Sequence, residues 1–521
     1  MIFRAPEPPV AVPDVPLTPF LLARAAGRGD KPAFIESPGG RTLTYRGWAE
    51  AVRKAAAGLA QRGVRKGDVV GIYSPNLPEY AVAFHAVSLL GAVNTTINPL
   101  YTVTELRAQL RDCGALHVVT AEPFLAKVQQ VAAECGLREV FVFGEGDGAT
   151  PFASLLDATG EPPAVSLDPR EDLIVLPYSS GTTGLPKGVM LTHHNLVANV
   201  LQAACALGVG EADTMLAVLP FFHIYGMVVI MNLGLHVGAT CVTMARFDLE
   251  QCLETLQRFK VTFAPVVPPI VLALARHPMV DKYNLGSLHT VFSGAAPLAE
   301  HVAMAASARL GCRVLQGYGL TEMSPVTHVT RVNAERTSPG GIGQPIPNTE
   351  AKIVALTTGE ELGPNQAGEI CVRGPQMMKG YLNRPEATAA MIDADGWLHT
   401  GDVGYADDSG CFFVVDRVKE LIKYKGLQIA PAELEAVLLS HAAVADAAVV
   451  PLPDEEAGQV PKGFVVLKAP ATAEQIMAYV AERVAPFKKL RSLEIIEQIP
   501  KSASGKILRR VLVERDTASP V

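Results

Sequence analysis

Residues 173–188 read LIVLPYSSGTTGLPKG, an apolar run followed by small, hydroxyl-bearing and basic residues. The apolar run predicts a buried strand, and the glycines after it predict a loop. Such a loop lets several backbone N–H groups converge on an anion, while its hydroxyls and Lys187 add donors and positive charge. Since a helix is expected over residues 194–201, the loop suits a phosphate group. A flexible surface turn is the alternative interpretation.

A Walker-type nucleotide loop is disfavoured by the residue that follows Lys187. That position requires a Ser or Thr hydroxyl to bind Mg²⁺, and here it is Gly188. The segment therefore predicts phosphate binding without the architecture of a Walker-type NTPase.

The composition is that of a soluble globular protein with enough chain for several domains. The chain has 521 residues, 49% of them hydrophobic, and a formal net charge of −7. This mild negative charge argues against a nucleic-acid partner, which usually meets a basic stripe. The longest apolar tract, residues 218–242, is interrupted by Pro220, His223 and His236, so no membrane span is expected. The N-terminus lacks a signal-peptide pattern, which leaves the cytoplasm as the expected location.

The eight cysteines predict reduced thiols and no metal site of the CxxC type. No two of them lie within four residues of each other in the sequence. In a chain of this length with few cysteines, partly buried free thiols of a cytosolic protein are expected.

Strand-like and helical patterns alternate on both sides of the loop. Residues 69–73 form an apolar run that ends at a turn, and Thr44 is placed to cap the helix before it. Thr102 and Glu105 form a capping box for a later helix. This alternation predicts an α/β fold with largely parallel sheets.

Residues 340–417 follow a different pattern, rich in Gly and Pro with short alternating runs. They predict an antiparallel sheet or a small barrel. A charged stretch follows Arg417, and Pro431 then opens a helix at its first turn. The expected organisation is a large domain over residues 1–417 and a small α+β domain over residues 418–521, which begins near Lys419.

Six further motifs follow the loop along the chain. They are residues 221–226 (FFHIYG), 293–297 (SGAAP), 316–322 (QGYGLTE), 400–402 (TGD), 416–426 (DRVKELIKYKG) and 500–506 (PKSASGK). Together with the loop they resemble the adenylate-forming superfamily of acyl-CoA synthetases and luciferases over nearly the whole chain. KELIKYKGLQIAPAELE and QGYGLTEMSPV are similar to the 4-coumarate:CoA ligase branch.

The resemblance implies a large domain of stacked α/β subdomains with a small β-barrel, and a mobile C-terminal lid with a hinge at Lys419. It implies a two-step reaction. A carboxylate attacks the α-phosphorus of ATP to give acyl-AMP and pyrophosphate, and the thiol of coenzyme A (CoA) then displaces AMP. ATP, Mg²⁺ and CoA are thus implied, and the first step needs cationic groups near the α-phosphate because it crowds negative charge.

The resemblance also assigns the nucleotide site. Glu322 would bind Mg²⁺, since a hard cation prefers oxygen ligands. Tyr318 would stack on adenine, Asp402 would accept the ribose hydroxyls, and Arg417 would donate to the ribose. A packing role for Tyr318 and a simple turn at Asp402 are the alternatives. The implied contacts with ATP or CoA are Ser179, Ser180, Gly181, Thr182, Thr183, Gly184, Lys187, Ala295, Ala296, Gln316, Gly317, Tyr318, Gly319, Asp402, Arg417 and Gly426.

Catalytic residues are implied by the same motifs. Lys506 would reach the α-phosphate during adenylation, and Thr321 would hydrogen-bond it. Lys423 and Gln428 would alternate with Lys506 at the ligand when the small domain rotates, and Gly426 would let the pantetheine arm pass the backbone. Outside such a motif, a lysine near a C-terminus is usually a solvated charge.

The acid pocket is implied to have glycines on opposing walls, which leaves a thin slot for a flat ring and its conjugated tail. Tyr225 is placed to hydrogen-bond a phenol at the far end. His223 would close the carboxylate end, although a histidine in an apolar segment is more often a core residue. This pattern favours 4-coumarate and related hydroxycinnamates. The implied lining residues are Tyr225, Val229, Phe292, Gly294, Pro325 and Val326, with Gly317 and Gly319 shared with the nucleotide site.

Other functions share these motifs. A medium-chain fatty acyl-CoA ligase would have the same catalytic residues, because an apolar pocket discriminates poorly between apolar shapes. A luciferase would also have them, and a carrier-loading adenylation enzyme would pass the acyl group to a separate phosphopantetheine. An inactive regulatory protein is disfavoured by Lys187, Glu322, Asp402 and Lys506. The expected partners are a small carboxylic acid, ATP and CoA, and the expected assembly is a monomer or weak homodimer.

Overall fold

The computed structural model describes residues 1–179, 186–331, 340–418, 420–424, 427–454, 457–501 and 507–517. Sheets and helices alternate along most of these ranges, which confirms the predicted α/β class. All eight cysteines are free thiols, and Cys205 is the exposed one.

The first large sheet is parallel at its centre and antiparallel where it approaches the glycine-rich loop. The predicted strand Val69–Tyr73 lies at the centre and pairs in parallel with both of its neighbours. The short strand Gly380–Tyr381 also pairs antiparallel with Lys187–Thr192 and lies outside the main strand order. In spatial order the strands are Tyr178–Ser179, Lys187–Thr192, Leu173–Val175, Val93–Thr96, Val69–Tyr73, Ala115–Ala121, Glu139–Phe143 and Thr150–Pro151.

The second large sheet has a parallel centre with antiparallel strands at its two edges. The carboxyl ends of its parallel strands lie along one edge of the sheet, where ligands usually bind in sheets of this kind. In spatial order the strands are Gln344–Pro345, Val326–Val329, Arg313–Gly319, Thr290–Ser293, Phe263–Val266, Thr214–Ala217, Thr240–Met244, Pro32–Ser37 and Thr42–Thr44.

Most helices of the first 310 residues pack on these two sheets around an apolar core that includes Trp48, Phe34, Tyr80 and Phe221. The helices Val103–Cys113 and Leu125–Ala132 contribute to a second core. The helices of the first 310 residues are Leu17–Ala25, Tyr45–Gln61, Pro78–Leu89, Val103–Cys113, Leu125–Ala132, His193–Leu207, Leu233–Val237, Leu249–Arg258, Pro268–Arg276 and Glu300–Leu310, with a π-helix at Tyr225–Asn232. Shorter turns of 3₁₀-helix lie at Glu122–Phe124, Phe152–Asp157, Pro278–Lys282 and Thr321–Met323.

Two helix starts were predicted from their capping residues, and both are confirmed. The Thr44 side chain accepts a hydrogen bond from the backbone N–H of Gly47 at 3.0 Å. Thr102 and Glu105 form the reciprocal capping box. Within the described ranges, no helix is both long and apolar enough to cross a membrane.

A third sheet is antiparallel throughout. One edge is Phe3–Arg4, so the Pro-rich N-terminal arm supplies a strand to a sheet whose other strands lie within residues 340–417. The rings of Phe3 and Phe412, on the two edge strands, are 5.2 Å apart, so the sheet curls toward closure. Its strands in order are Phe3–Arg4, Glu350–Val354, Gly368–Arg373, Leu398–Ala406 and Phe412–Arg417. The short helix Pro385–Ala389 contacts the strand Gly380–Tyr381 of the first sheet.

The fourth sheet forms after Arg417 and has its own apolar core, which includes Ile422, Leu434, Val449 and Ile476. Its strands are Leu427–Ile429, Ile422–Tyr424, Gly458–Leu467 and Val444–Asp454 in spatial order, and Ser492–Ile495 pairs in parallel with Gly458–Leu467. The helices of this part are Pro431–Ser440, Ala473–Ala481 and Arg509–Thr517, with a 3₁₀ turn at Pro486–Lys488.

Candidate active site

The glycine-rich loop connects two strands that pair with each other. Tyr178–Ser179 and Lys187–Thr192 are antiparallel, with Ser179 opposite Lys187. The first and last polar residues of the motif are therefore neighbours at the base of a hairpin. Ser180, Gly181, Thr182, Thr183 and Gly184 lie outside the described residues.

The helix expected over residues 194–201 is confirmed, and it begins after the second strand of the hairpin. It covers His193–Leu207, and Thr192 and Asn195 close its first turn with a capping box. The N-terminus of this helix therefore does not directly follow the loop. The strand Lys187–Thr192 separates the two features because its residues pair with strands on both sides.

Glu322 lies against the base of the hairpin. Its Oε1 atom accepts hydrogen bonds from the Ser179 hydroxyl at 2.9 Å and from the Tyr381 hydroxyl at 2.8 Å. Lys187 Nζ lies 4.8 Å from the centre of the Tyr381 ring. Burial, together with the negative charge of Glu322, raises the pKa of Tyr381 well above its ordinary value, so the phenol stays protonated and donates. Tyr381 thus contacts a buried carboxylate through its hydroxyl and an ammonium group through its ring.

Two residues from two other motifs, Tyr318 and Arg417, meet at Asp402. The Tyr318 hydroxyl donates to Asp402 Oδ2 at 2.5 Å, and Arg417 Nε donates to Asp402 Oδ1 at 3.0 Å. Asp402 and Arg417 are direct partners on antiparallel strands, which explains their proximity. Burial and the Asp402 charge raise the pKa of Tyr318, so this phenol also remains a donor. The carboxylate is held in one orientation by both donors.

The backbone at Ala295 takes a left-handed conformation that only glycine adopts without strain. Its φ is +70°, two residues after the end of the strand Thr290–Ser293. Ser293 pairs with Gln316 on the neighbouring parallel strand, so residues 295–296 leave the sheet next to Gly317–Gly319, which continue that strand and pair with Val326–Val329. Gln316 Oε1 accepts from the Leu298 backbone N–H at 3.3 Å and ties the two segments together. Strained non-glycine backbone of this kind clusters at functional sites.

Two glycines of the expected acid pocket face aromatic rings. A Cβ atom on Gly317 would lie 2.3 Å from Cζ of Phe292, and a Cβ on Gly294 would lie 3.0 Å from Cε1 of Tyr225. The two rings themselves contact edge to face at 5.9 Å. Any side chain at Gly317 would therefore displace the Phe292 ring, which is buried.

The hydroxyl proton of Tyr225 already takes part in a hydrogen bond within the protein. Its hydroxyl donates to the backbone carbonyl of Phe292 at 3.0 Å. A hydroxyl that already donates still has lone pairs with which to accept. A phenol group of a substrate is therefore expected to donate to Tyr225 and not to accept from it. Val229, one turn further along the π-helix, is fully buried among apolar residues.

His223 lies two residues before this π-helix begins. Its Nδ1 atom accepts from the backbone N–H of Tyr225 at 3.3 Å, which places the proton of the neutral ring on Nε2. Met227 N–H donates to the His223 carbonyl, so the residue is part of the helical turn itself. Turns of π-helix occur often at functional sites.

Comparison with known proteins identifies the family. The model of the AMP-binding enzyme family matches residues 21–382, and that of the AMP-binding enzyme C-terminal domain matches residues 433–506. The chain belongs to the AMP-binding enzyme family. 4-Coumarate–CoA ligase 5 of Oryza sativa subsp. japonica is 46% identical, with 98% of this chain and 96% of that protein covered. 4-Coumarate–CoA ligase 2 of Petroselinum crispum is 43% identical, with 98% and 96% covered.

A solved structure agrees in fold with this AMP-binding enzyme. The anthranilate CoA ligase in complex with anthranoyl-AMP has a TM-score of 0.89 and 26% identity, with 98% of this chain and 99% of that chain covered. The similarity to adenylate-forming enzymes of the 4-coumarate:CoA ligase branch, expected from the motifs, is thereby confirmed.

The C-terminal residues expected to act in this AMP-binding enzyme are only partly described. Lys423 is exposed, and its backbone lies directly opposite Gln428 on the neighbouring strand. Lys501 and Ile507 form a β-bridge at the two ends of the segment that contains Lys506. Lys506, Gly426, Lys419 and the side chain of Gln428 lie outside the described residues.

Two residues near the nucleotide motifs were missed by sequence reasoning. Tyr381 belongs to no motif singled out above, yet it hydrogen-bonds Glu322. Glu369 accepts from the backbone N–H of Gly401 at 3.0 Å, next to Asp402, at an irregularity in the pairing of the strand Leu398–Ala406. Gly401 has φ +71°, which favours glycine at this position in the strand. The sequence offered no signal for either residue, because both contacts join distant parts of the chain.

Proposed function

We propose that this AMP-binding enzyme is an ATP-dependent acid:CoA ligase that acts on 4-coumarate and related hydroxycinnamates. The observation that carries the proposal is the 43–46% identity, over nearly the full length, to proteins named 4-coumarate–CoA ligases. The reaction would form an acyl-adenylate and then an acyl-CoA thioester. The enzyme is expected to act in the cytoplasm as a monomer or weak homodimer.

The phosphate end of ATP is assigned to the hairpin base and Glu322. Ser179, Ser180, Gly181, Thr182, Thr183, Gly184 and Lys187 would surround the phosphates, and Thr321 would hydrogen-bond the α-phosphate. Glu322 suits Mg²⁺ because it is a buried carboxylate whose described partners, Ser179 and Tyr381, are neutral donors that leave its charge uncompensated. When bound, Mg²⁺ would withdraw negative charge from the phosphate oxygens.

The nucleoside end is assigned to the cluster around Asp402. A carboxylate has about four acceptor positions, so ribose hydroxyls can be added to the bonds from Tyr318 and Arg417. The strained turn at Ala295 and Ala296, with Gln316, Gly317 and Gly319, would form the adenine slot. This placement fits the rule that open α/β sheets bind ligands at the carboxyl ends of parallel strands.

Adenylation brings the acid carboxylate against the α-phosphorus. One carboxylate oxygen forms a bond to phosphorus, and the bond to the pyrophosphate oxygen breaks. Lys506 would neutralise charge that builds up on the α-phosphate, and pyrophosphate leaves. His223, with its proton on Nε2, would donate a hydrogen bond toward the carboxylate end of the acid.

Thioester formation would follow a rotation of the small domain. We place the boundary between residues 1–417 and 418–521, with the hinge near Lys419, because separate apolar cores lie on its two sides. After rotation, Lys423 and Gln428 would replace Lys506 at the ligand, and Gly426 would border the path of the pantetheine arm. The CoA thiolate then attacks the acyl carbon, and AMP leaves with the electron pair of the broken acyl–oxygen bond.

The acid itself is assigned to the pocket of Tyr225, Val229, Phe292, Gly294, Pro325 and Val326. A para-hydroxyl group can donate to the hydroxyl oxygen of Tyr225. The proton of that hydroxyl is already donated to the backbone carbonyl of Phe292. Val229, Phe292 and Val326 are buried and apolar, which also suits an aliphatic chain. A medium-chain fatty acid is therefore the second candidate substrate.

Release of AMP with 4-coumarate, caffeate, cinnamate and octanoate tests the assignment. We expect kcat/KM for the hydroxycinnamates to exceed that for octanoate about 100-fold, which is about 2.7 kcal/mol. A higher value for octanoate would assign the enzyme to fatty acids. Tyr225→Phe should lower kcat/KM for 4-coumarate more than for cinnamate, and equal losses would remove Tyr225 from phenol recognition.

A further inference from the structure

Three side chains in the antiparallel sheet converge on one point, and we refer to them as the Glu369–Cys371–His399 cluster. Cys371 and His399 are direct partners on neighbouring strands, and Cys371 Sγ lies 3.5 Å from His399 Nδ1. Glu369 Oε2 lies 2.8 Å from the same nitrogen. The three ligand atoms all lie within 4.8 Å of one another.

We propose that this cluster binds one divalent cation of the zinc class. Thiolate, imidazole and carboxylate are the ligands that zinc prefers. Around a tetrahedral zinc ion, ligand atoms lie about 3.3–3.7 Å apart, given bond lengths of roughly 2.0–2.3 Å. The sulfur–nitrogen distance already has this value, and Glu369 has to withdraw by less than about 1 Å.

His399 is oriented as a metal-bound histidine usually is. Its Nε2 atom faces Asp393 Oδ2 at 3.4 Å, while Nδ1 faces Cys371 and Glu369. Asp393 is itself fixed, since its Oδ1 atom accepts from the backbone N–H groups of Asp395 and Trp397. A carboxylate behind the distal nitrogen keeps the lone pair of the other nitrogen directed at the metal.

Access and burial also suit a bound ion. Cys371 is fully buried, whereas the side chains of His399 and Glu369 are 31% and 20% exposed. An ion can therefore enter from the solvent side and keep a water molecule as its fourth ligand. On binding, the thiol proton and the hydrogen shared by His399 and Glu369 would leave to solvent, because zinc requires the deprotonated ligands.

The surrounding charges do not oppose a cation. Lys352 and Arg373 lie nearby, over the Trp397 ring. Lys352 pairs with Glu361 at 3.2 Å, and Arg373 pairs with Glu350 at 2.5 Å. The two carboxylates that face His399, those of Glu369 and Asp393, therefore dominate the field at the cluster.

Sequence spacing did not reveal this cluster, because its ligands come from two strands and include only one cysteine. The cluster is connected to the nucleotide site, since the second oxygen of Glu369 holds the backbone N–H of Gly401, next to Asp402. The proposal does not depend on the proposed function, because cation binding is measured directly.

The experiment is a Co²⁺ titration of the reduced, chelator-treated full-length protein. We expect one equivalent of Co²⁺ to produce a thiolate-to-cobalt charge-transfer band, and equimolar Zn²⁺ to abolish it. Cys371→Ser should lose the band. Cys411→Ser changes another buried cysteine close to the same sheet and should keep the band.

A second variant keeps the test informative if Cys371→Ser does not fold. Glu369→Gln retains the sulfur ligand but removes a carboxylate ligand, so the band should persist with at least tenfold weaker Co²⁺ affinity. Absence of the band from the wild-type protein, its persistence in Cys371→Ser, or an unchanged affinity in Glu369→Gln would each overturn the proposal.

Discussion

The Ser179 hydroxyl donates a 2.9 Å hydrogen bond to the Glu322 carboxylate, although the two residues are 143 positions apart. Ser179 ends the first strand of the loop hairpin, and Glu322 lies in the turn after a strand of the other large sheet. Two motifs that the sequence presents separately thus form one site where the two sheets approach each other. This contact positions the carboxylate beside the residues expected to bind phosphate.

Replacing Glu322 with Gln should impair adenylation without unfolding the protein. The amide oxygen can still accept from Ser179 and Tyr381, but the negative charge expected to bind Mg²⁺ is lost. We expect the rate of ATP–pyrophosphate exchange to fall roughly 10²–10³-fold, with little change in Tm. The exposed Glu300, replaced with Gln, serves as the control and should retain wild-type exchange. Wild-type exchange in Glu322→Gln would contradict the metal assignment.

Lys506→Ala should separate the two half-reactions. Adenylation is expected to fall by at least about 10², whereas thioester formation from supplied acyl-AMP should be largely retained, because only the first step uses the lysine. Lys501→Ala is the matched control, since this lysine of the same motif pairs with Asp446 at 2.6 Å. Both activities are followed by AMP and pyrophosphate release. Equal loss of both steps in Lys506→Ala would show that the residue has another role.

Gly317→Ala should destabilise the protein and weaken acid binding. The new methyl group would lie 2.3 Å from Cζ of Phe292, whose ring is buried and cannot move without disturbing Tyr225. We expect a loss of about 1–3 kcal/mol in the free energy of unfolding, together with a higher KM for the acid. Gly27→Ala, where the nearest atom lies at 4.0 Å, should change neither quantity. Denaturant titration and steady-state kinetics measure the two effects, and unchanged values would mean that the pocket relaxes freely.

Acid should destabilise the fold through its buried histidines. Burial lowers the pKa of His85 and of His328 to about 3, so both stay neutral in the folded protein while the unfolded chain protonates them below about pH 6.5. Stability is therefore lost as the pH falls from about 6.5 toward 3. At pH 5 each histidine should cost about 2 kcal/mol relative to neutral pH.

The control for this effect compares how much the free energy of unfolding changes between two pH values, and not its absolute value. His328→Leu should reduce the loss of free energy of unfolding between pH 7 and pH 5 by about 2 kcal/mol. The exposed His301→Leu variant should show the wild-type loss. An identical pH dependence in wild type and His328→Leu would exclude His328 as a source of the acid sensitivity.

Local features could be predicted from the sequence because neighbouring residues determine them. The caps at Thr44 and Thr102 depend on side chains that reach backbone groups three residues away. The strand Val69–Tyr73 and the helix opened by Pro431 likewise follow from short-range patterns. The helix expected over residues 194–201 is confirmed as His193–Leu207, but the strand of six residues before it was not predicted, and one of its pairing partners, Gly380–Tyr381, is distant in the chain.

By itself, the sequence determined the α/β class, the order of the motifs and the family to which they belong. Only the tertiary structure decided which residues of those motifs meet. Asp402 accepts hydrogen bonds from Tyr318 and Arg417, and Tyr225 donates one to the Phe292 carbonyl. The N-terminal arm adds a strand to a sheet whose other strands lie more than 300 residues away in the chain. These contacts depend on strand register and on the packing of one sheet against another, which no short stretch of sequence encodes.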